Sequence, residues 1–528
     1  MTTYAGIALT LALATASAGS LAAPSRGPAP AAPSPVTSTL PSTVPGLSWS
    51  ACGPAGLGQE CATLRVPLDY ADPDGRQVEL AVSRIRSTEP AARRGTLLVV
   101  PGGPGSSGVQ RLTSKGRALK RELGGAYDLV AFDPRGVGGS TKAHCGLAER
   151  DRHLVTLRAW PAADGSIDEN VERSRRVAEA CARNGGAELR GLTTANEVRD
   201  MDRLRQALGE AKLSAWGSSY GTYVTAQYAQ KFPHRTDRVV LDSSADPDPR
   251  KVAQGWLAGM ARGADDRFPD FAAWAAHPDR AQDGLRLAER PEDVRPLVLD
   301  LAARLDRQPK ASTTPGVPLT GNLLRQALQN ALYSDGAFAD FARLVRQART
   351  GGETPALPPA LAGPMPDSDA TVTIGVICND VRWRGSVPAH RRAVAADRAA
   401  HPLTAGMPVN ITPCSFWKSN PGDLGNPGSP GDLGNPGDPG TPASPAEKPT
   451  RITDDGPSNI LMIQSLRDPS TPHSAGLKMR EALGARARLV SVDRGGHGMY
   501  LSNGNACGDR TVTRFLLTGE RPAADVTC

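Results

Sequence analysis

The segment Gly217-Ser218-Ser219-Tyr220-Gly221 gives the clearest indication of chemistry in the sequence. A serine hydroxyl is a weak nucleophile unless a neighbouring base removes its proton. A sharp turn between a strand and a helix exposes such a serine, and small flanking residues prevent clashes in that turn. Gly217 and Gly221 flank Ser219 at this spacing, whereas Ser218 is out of register with them. The motif predicts Ser219 as a nucleophile, and an ordinary turn serine is the alternative.

A histidine and an aspartate follow later strand-like runs, in the order that an α/β-hydrolase triad requires. His497 lies among glycines after the apolar run 487–492, which lets its ring reach across to a serine. Asp468 follows the apolar run 460–464. An acid at this position orients the imidazole and stabilises its charged form. The sequence therefore predicts a catalytic triad of Ser219, Asp468 and His497.

The glycine-rich loop 101–105 (Pro-Gly-Gly-Pro-Gly) provides candidates for stabilising a negative charge. Attack on a carbonyl group leaves a negative oxygen, which backbone N–H groups must already face. One donor is expected from Tyr220, directly after the nucleophile, and the other from the loop after an early strand. Because Pro104 has no N–H group, Gly103 is the better candidate. A plain glycine turn is the alternative for this loop.

Short apolar runs alternate with helical patterns on both sides of the serine motif. Continuous apolar runs are typical of buried parallel strands, and apolar residues at helical spacing indicate amphipathic helices. Thr194 and Glu197 have the spacing of a capping box, which predicts the start of a helix over 194–208. The strands are expected at 64–68, 78–85, 96–100, 127–132, 213–216, 238–241, 460–464 and 487–492. The pattern predicts an α/β fold with a mostly parallel sheet flanked by helices.

Composition divides the chain into six parts. An apolar run with small residues after it indicates a signal peptide, and a Pro/Ala-rich stretch indicates a flexible spacer. A period of glycine at every third residue from 422 to 440 resembles collagen, but a solvated loop is a better interpretation than a trimer. The expected parts are a signal peptide (1–23), a linker (24–46), the first part of the core (47–246), a mainly helical cap (247–415), a Gly-X-Y loop (416–450) and the second part of the core (451–528).

Charge and cysteine content exclude several classes of protein. The net charge of +7 is spread over 61 basic and 54 acidic residues without a basic stripe, which argues against nucleic-acid binding. No segment after the signal is apolar enough to cross a membrane. The cysteines form no C-x-x-C motif, so a zinc cluster is not expected, and we predict no bound metal. In an exported protein they are expected to form disulfides. Eight cysteines allow 105 connectivities, and the sequence does not select one of them. Pairing in sequence order is our prediction: Cys52 with Cys61, Cys145 with Cys181, Cys378 with Cys414 and Cys507 with Cys528.

Taken together, the motifs resemble the tripeptidyl aminopeptidase branch of the prolyl-aminopeptidase group of α/β-hydrolases. The resemblance rests on PGGPG at 101–105, FDPRGVG at 132–138, the stretches at 193–209 and 216–235, VLDSSADP at 240–247, DPSTP at 468–472 and GGHG at 495–498. It implies a secreted serine exopeptidase that releases di- or tripeptides from free N-termini without a cofactor. We expect a monomer, with a carboxylesterase or amidase acting on small molecules as the alternative function.

An aminopeptidase must also hold the ammonium group of its substrate. A partly buried carboxylate near the nucleophile meets this need, because a charged hydrogen bond is strong where water is excluded. Asp246, after the strand at 238–241, and Asp380, beside Cys378 in the cap, are the two candidates. A surface or helix-capping aspartate is the alternative for each.

Overall fold

A mostly parallel sheet forms the centre of the structure, a computed structural model that describes residues 46–249, 254–380, 383, 385–417 and 450–528. Its strands are β1 (Ser50–Ala51), β2 (Gln59–Pro67), β3 (Gln77–Ile85), β4 (Thr96–Val100), β5 (Asp128–Phe132), β6 (Leu213–Ser218), β7 (Thr236–Asp242), β8 (Ile460–Arg467), β9 (Ala487–Gly495) and β10 (Val526–Thr527). They lie in the order β1-β2-β3-β5-β4-β6-β7-β8-β9-β10. Pairs among β1, β2, β3 and β5 are antiparallel, and the pairs from β5 to β10 are parallel. The predicted α/β class is confirmed.

Helices cover both faces of this sheet and fill its longest connection. In the described residues they are α1 (Gly108–Glu122), α2 (Leu154–Leu157), α3 (Asp168–Asn184), α4 (Gly186–Arg190), α5 (Thr194–Ala207), α6 (Tyr220–Lys231), α7 (Gln254–Ala276), α8 (Pro291–Arg307), α9 (Gly321–Ala331), α10 (Phe338–Arg349), α11 (Pro359–Ala362), α12 (Asp367–Asp380), α13 (Val387–Ala400), α14 (His473–Leu483) and α15 (Ala506–Thr518).

Alternate residues of the central strands face two different hydrophobic cores. In β4, Leu98 and Val100 join the core on one face of the sheet, whereas Leu97 and Val99 join the core on the other. All five residues of this strand are buried. A strand that is covered on both faces must be apolar at every position, which explains why β4 is a continuous apolar run.

The cap has a hydrophobic core of its own. Helices α7 to α13 lie between β7 and β8. Buried side chains of α7 to α11 form a separate cluster around Phe271, Leu301, Leu324 and Val345, whereas those of α12 join a core of the sheet. The aromatic ring of Phe271 contacts those of Phe338 and Phe341 at centroid distances of 5.3 and 5.2 Å. Apolar burial of this kind is the main stabilising contribution to a helical layer. The helical character expected between β7 and β8 is confirmed.

A second helical segment lies between β5 and β6, in the range that the sequence predicts as part of the core. It contains α2, α3 and α4 and is bonded to the cap. The Trp160 indole donates a hydrogen bond to Gln326 Oε1 of α9 at 2.9 Å, and Asn322 of the same helix donates to the Pro161 carbonyl at 2.8 Å. The cap therefore rests partly on a segment that had been assigned to the core.

The predicted capping box at the start of α5 is wrong. The N-cap residue is Thr193, whose hydroxyl accepts a hydrogen bond from the Asn196 N–H group. The Thr194 hydroxyl instead contacts Asp380 of α12 and the Tyr220 hydroxyl. Two successive threonines could each cap the helix, and tertiary contacts decide which one does so.

Four disulfides pair the eight cysteines in sequence order: Cys52–Cys61, Cys145–Cys181, Cys378–Cys414 and Cys507–Cys528. The second disulfide joins α3 to the segment that follows β5, and the third joins α12 to the end of the cap. A disulfide stabilises a fold chiefly by restricting its unfolded chain. Disulfides of this number fit an oxidising, extracytoplasmic compartment.

Three predicted segments lie largely outside the described residues. They are the signal peptide at 1–23, the linker as far as residue 45, and residues 418–449 of the Gly-X-Y loop. Within the described ranges, no helix combines the length and the apolar character needed to cross a bilayer.

Candidate active site

Ser219 lies at a sharp turn between the last residue of β6 and the first residue of α6. Its backbone angles are φ 59° and ψ −127°, a conformation that costs free energy for any residue with a side chain. Backbone hydrogen bonds hold the turn: the Ser219 N–H group donates to the Asp242 carbonyl at 3.0 Å, and the Thr222 N–H group donates to the Ser219 carbonyl at 2.9 Å. Strain of this type presents a serine side chain at the edge of a parallel sheet.

The two glycines of the motif are required by the close approach of neighbouring backbone. A Cβ atom on Gly217 would lie 2.4 Å from the Gly221 carbonyl oxygen and 2.4 Å from Thr225 Oγ1. A Cβ atom on Gly221 would lie 2.4 Å from the Pro101 carbonyl oxygen. All three distances are far below van der Waals contact. The glycines thus allow α6 to sit against both its own strand and the glycine-rich loop.

Asp468 and His497 form a hydrogen-bonded pair. His497 Nδ1 lies 3.0 Å from each carboxylate oxygen of Asp468, which is 1% exposed. The N–H groups of Ser470 and Thr471 each donate to Asp468 Oδ1 at 2.8 Å and fix the orientation of the carboxylate. Because a carboxylate only accepts, Nδ1 carries the proton, and Nε2 is left free to act as a base.

The pair and the serine turn lie at the same edge of the sheet. Ser219, Asp468 and His497 directly follow, or lie just beyond, the carboxyl ends of the parallel strands β6, β8 and β9. The loop after His497 approaches the serine turn: a Cβ atom on Gly498 would lie 4.0 Å from Ser218 Oγ. Among the described residues no hydrogen bond joins the Ser219 hydroxyl to His497, and such bonds are often long without substrate.

The pKa of His497 is raised above its ordinary value. Burial by itself lowers this pKa, but the charges of Asp468 and Asp242 and the hydrogen bond to Asp468 outweigh burial. The charge of Arg111 acts in the opposite direction to the two carboxylates. A carboxylate beside an imidazole favours the protonated ring, which is the state formed when the base has taken a proton.

The cap contacts the histidine through Tyr333. The Tyr333 carbonyl accepts a hydrogen bond from the backbone N–H group of His497 at 2.9 Å. The two rings meet edge to face, with their centroids 5.1 Å apart. The Tyr333 hydroxyl lies 2.9 Å from Ser470 Oγ, in the loop that holds the Asp468 carboxylate. No feature of the sequence pointed to Tyr333, since it lies beyond the end of a cap helix without a motif.

Gly102 makes the closest approach to Ser219, whereas the predicted oxyanion donor is its neighbour Gly103. A Cβ atom on Gly102 would lie 2.8 Å from Ser219 Cβ and 3.4 Å from Ser219 Oγ. Gly103 follows with φ 111°, in the region that favours glycine, and Tyr220 begins α6. The loop therefore lies against Ser219, and Gly103 and Tyr220 stay our prediction for the oxyanion donors.

The two predicted amine-binding carboxylates have different surroundings. Asp246 is 7% exposed, and its Oδ2 lies 2.6 Å from Lys478 Nζ. Asp380 accepts hydrogen bonds from the Thr194 N–H group at 2.8 Å and from the Thr194 hydroxyl at 2.5 Å. Burial raises the pKa of Asp380 to about 7, although these bonds oppose the shift.

Glu197, whose position in the sequence predicts a capping residue, lies in the same network as Asp380. Its Oε2 lies 3.1 Å from the Tyr220 hydroxyl, which in turn lies 2.7 Å from the Thr194 hydroxyl. Its other oxygen is buried and has no hydrogen-bond partner among the residues that the structure describes. Burial, together with the charges of Asp200 and Asp380, raises the pKa of Glu197 to about 8. Glu197 and Tyr220 also line a cavity bounded by Gly102, Pro104, Gly105 and Val372.

Comparison with known proteins gives the family. The model of the family described as "TAP-like protein" matches residues 437–528. The tripeptidyl aminopeptidase of Streptomyces coelicolor is 30% identical over 509 residues, which cover 92% of this chain and 86% of that protein. The chain belongs to the TAP-like family of α/β-hydrolases.

Other relatives of this TAP-like hydrolase carry two kinds of name. Carboxylesterase B of Mycobacterium tuberculosis is 30% identical over 512 residues, which cover 93% of this chain and 92% of that protein. Serine protease Hip1 of the same species is 27% identical over 498 residues, covering 89% of this chain and 87% of that protein. Together with the fold, these relatives identify the TAP-like chain as a serine hydrolase.

No metal site accompanies the TAP-like fold in the described part of the chain. Within the ranges given above, no three or more His, Cys, Asp or Glu side chains are arranged to hold a metal ion.

Proposed function

We propose that the protein is a secreted serine exopeptidase that releases short peptides, in the first place tripeptides, from free N-termini through an acyl-enzyme. The observation that carries this proposal is the strained turn of Ser219 at the sheet edge that also bears the bonded pair Asp468–His497. The tripeptidyl aminopeptidase and serine protease relatives support it. Secretion is supported by the four disulfides.

Each step of the proposed reaction belongs to a residue of this chain. His497 Nε2 takes the proton of Ser219 Oγ, which attacks the carbonyl carbon of the scissile peptide bond. The N–H groups of Gly103 and Tyr220 receive the negative oxygen of the tetrahedral intermediate. The imidazolium, stabilised by Asp468, then gives the proton to the leaving amine. Water hydrolyses the ester on Ser219 by the same route and releases the short peptide.

The first test is the replacement Ser219→Ala. It removes the attacking oxygen, so turnover should fall by about 10⁴-fold or more, with thermal unfolding unchanged. Ser218→Ala is the matched control, because Ser218 is the adjacent buried hydroxyl and precedes the turn. Turnover by purified Ser219→Ala at the wild-type rate would rule out the triad.

Removal of peptides from a free N-terminus also requires a partner for the ammonium group. Of the two predicted carboxylates, Asp380 is our choice, because Asp246 already has Lys478 beside it. In the described residues, Asp380 is bonded by Thr194 and by no cation. A bound ammonium would offset both the burial of Asp380 and its repulsion with Glu197.

The anchor is tested with paired substrates. Asp380→Asn should raise KM for a peptide with a free N-terminus by about 10-fold or more, the value of one charged hydrogen bond. Its kcat/KM for a 4-nitrophenyl ester without an amine should stay at the wild-type value. Asp246→Asn is the matched control. Equal effects of Asp380→Asn on both substrates would exclude an anchoring role.

A carboxylesterase is the second candidate function. It is favoured by the relative named carboxylesterase B, which matches 93% of the chain. The two functions separate on N-acetylated peptides: an exopeptidase that needs a free amine loses them as substrates. An esterase hydrolyses small esters efficiently and cleaves neither the free nor the acetylated peptide.

A further inference from the structure

Asp242 is a buried carboxylate to which the triad assigns no role. It is the last residue of β7, and its side chain is fully buried. Its backbone carbonyl accepts the N–H group of Ser219 at 3.0 Å. Its side-chain oxygens accept the N–H groups of Met499 at 2.7 Å and Tyr500 at 3.1 Å. One residue is thus bonded both to the serine turn and to the loop that follows His497.

The hydrogen-bond shell of Asp242 suits an ionised carboxylate. Besides the two backbone N–H groups, the Trp216 indole N–H donates to Oδ2 at 3.2 Å, and the Ser243 hydroxyl lies 3.3 Å from Oδ1. A protonated carboxyl would direct its own O–H group at one of these donors. Burial raises the pKa of Asp242, although the hydrogen bonds from Met499, Tyr500 and Trp216 and the charge of Arg111 oppose that rise.

Each of the two segments that Asp242 joins contains a residue in an unfavourable backbone conformation. Ser219 has a positive φ angle of 59°, and Leu501 in the histidine loop has one of 54°. Such conformations persist only where surrounding contacts hold them. The Ser243 hydroxyl adds a further connection, because it accepts the Gly498 N–H group at 2.9 Å.

We propose that Asp242 is a positioning residue that holds the Ser219 turn and the His497 loop in the relative placement that proton transfer requires. The inference rests on the proposed triad and adds to it a fourth side chain that contacts neither substrate nor the reacting atoms. Asp468 acts differently, because it bonds directly to the imidazole. The charged groups that act on His497 are Asp468, Asp242 and Arg111.

The test is Asp242→Asn, which keeps the shape and removes the charge. One of the side-chain atoms becomes a donor that faces other donors, so the two elements lose part of their connection. A misplacement of about 1 Å between reacting groups lowers kcat by about 100-fold, and we expect a fall of this order with KM almost unchanged. Loss of a negative charge near His497 should also move the acid limb of the kcat/KM profile to lower pH.

The matched control is Asp151→Asn, which removes another buried carboxylate. Asp151 is 2% exposed and forms ion pairs with Arg173 and Arg176, both of which lie on α3. It should reduce thermal stability without changing kcat per folded molecule or the position of the acid limb. Active sites are counted by titration with a fluorophosphonate, so that a loss of folded protein is not mistaken for a loss of rate.

The results decide the proposal as follows. A folded Asp242→Asn protein with wild-type kcat, or with a lower kcat and an unmoved acid limb, would overturn it. If this variant does not fold, Ser243→Ala decides: it leaves the Gly498 N–H group without its acceptor, and kcat should fall by about 10-fold. Wild-type kcat in Ser243→Ala would then refute the proposal. An error in the triad assignment would be recognised separately, because Ser219→Ala would then retain wild-type turnover.

Discussion

The replacement Gly221→Ala gives the sharpest test of how the serine turn is built. A Cβ atom at this position would lie 2.4 Å from the Pro101 carbonyl oxygen and 2.7 Å from the Val100 carbonyl oxygen. Real Cβ contacts below 3.0 Å essentially never occur. The shorter contact must therefore lengthen by at least 0.6 Å, the difference between 3.0 and 2.4 Å. Both obstacles are backbone atoms, so a side-chain rotation cannot relieve them.

The required shift would move one or both of the segments that adjoin Ser219, the loop that begins at Pro101 and helix α6. Pro101 begins the loop that lies against Ser219, and Gly221 is the second residue of α6, directly after Tyr220. A displacement approaching 1 Å between these elements should lower kcat/KM by about 100-fold. Helix propensity predicts the opposite trend for stability, because alanine is favoured over glycine in a helix by about 1 kcal/mol.

The assay is hydrolysis of a 4-nitrophenyl ester, which needs no amine anchor, together with thermal unfolding. Gly352→Ala serves as the control, because a Cβ atom there meets nothing within 4 Å. We expect Gly352→Ala to behave as wild type and Gly221→Ala to lose activity and stability together. A Gly221→Ala protein with wild-type kcat/KM and a higher Tm would refute the steric argument.

Two further predictions concern the histidine. The pKa of His497 is raised, because the charge of Asp468 and its hydrogen bond outweigh the effect of burial. Since the imidazole acts as a base only when it is neutral, kcat/KM should rise with pH through a midpoint above ~6.5. A pH–rate profile with its midpoint below that value would contradict this prediction. Tyr333→Phe removes the hydroxyl that lies 2.9 Å from Ser470 Oγ but keeps the ring against His497. It should lower kcat/KM by about 5-fold, the effect of one neutral hydrogen bond of about 1 kcal/mol, and an unchanged value would show that the cap contact does not affect the triad.

The central strands could be predicted because they are covered on both faces. Thr96–Val100 was expected with the bounds that the structure gives, since all of its residues are buried and the apolar run ends with the strand. The predicted strands at 213–216 and 460–464 are shorter than those observed, because β6 continues to Ser218 and β8 to Arg467. Polar residues at these ends still pair with neighbouring strands. Hydrophobic periodicity cannot detect such polar strand ends.

The helical segment between β5 and β6 was not separated from the core for a different reason. Its helices have ordinary amphipathic patterns, and such patterns do not indicate which surface of the protein a helix covers. Contacts such as Trp160 with Gln326 join residues 166 positions apart. The threonine pair at 193–194 shows the same limit, because the choice of cap depends on Asp380, which is 186 positions from Thr194.

The sequence by itself determined the local geometry that depends on neighbours in the chain. A serine between two glycines, with a strand before it and a helix after it, specifies a local turn, and the order of the later aspartate and histidine specifies where their side chains emerge. Only the tertiary structure decided which distant groups bond to the segments that carry these residues: Asp242 and Tyr333 at the serine turn and the histidine loop, and the Glu197–Asp380 network around Tyr220. Such groups act through burial and through backbone N–H groups supplied by other segments, and neither leaves a periodic or local pattern in the sequence.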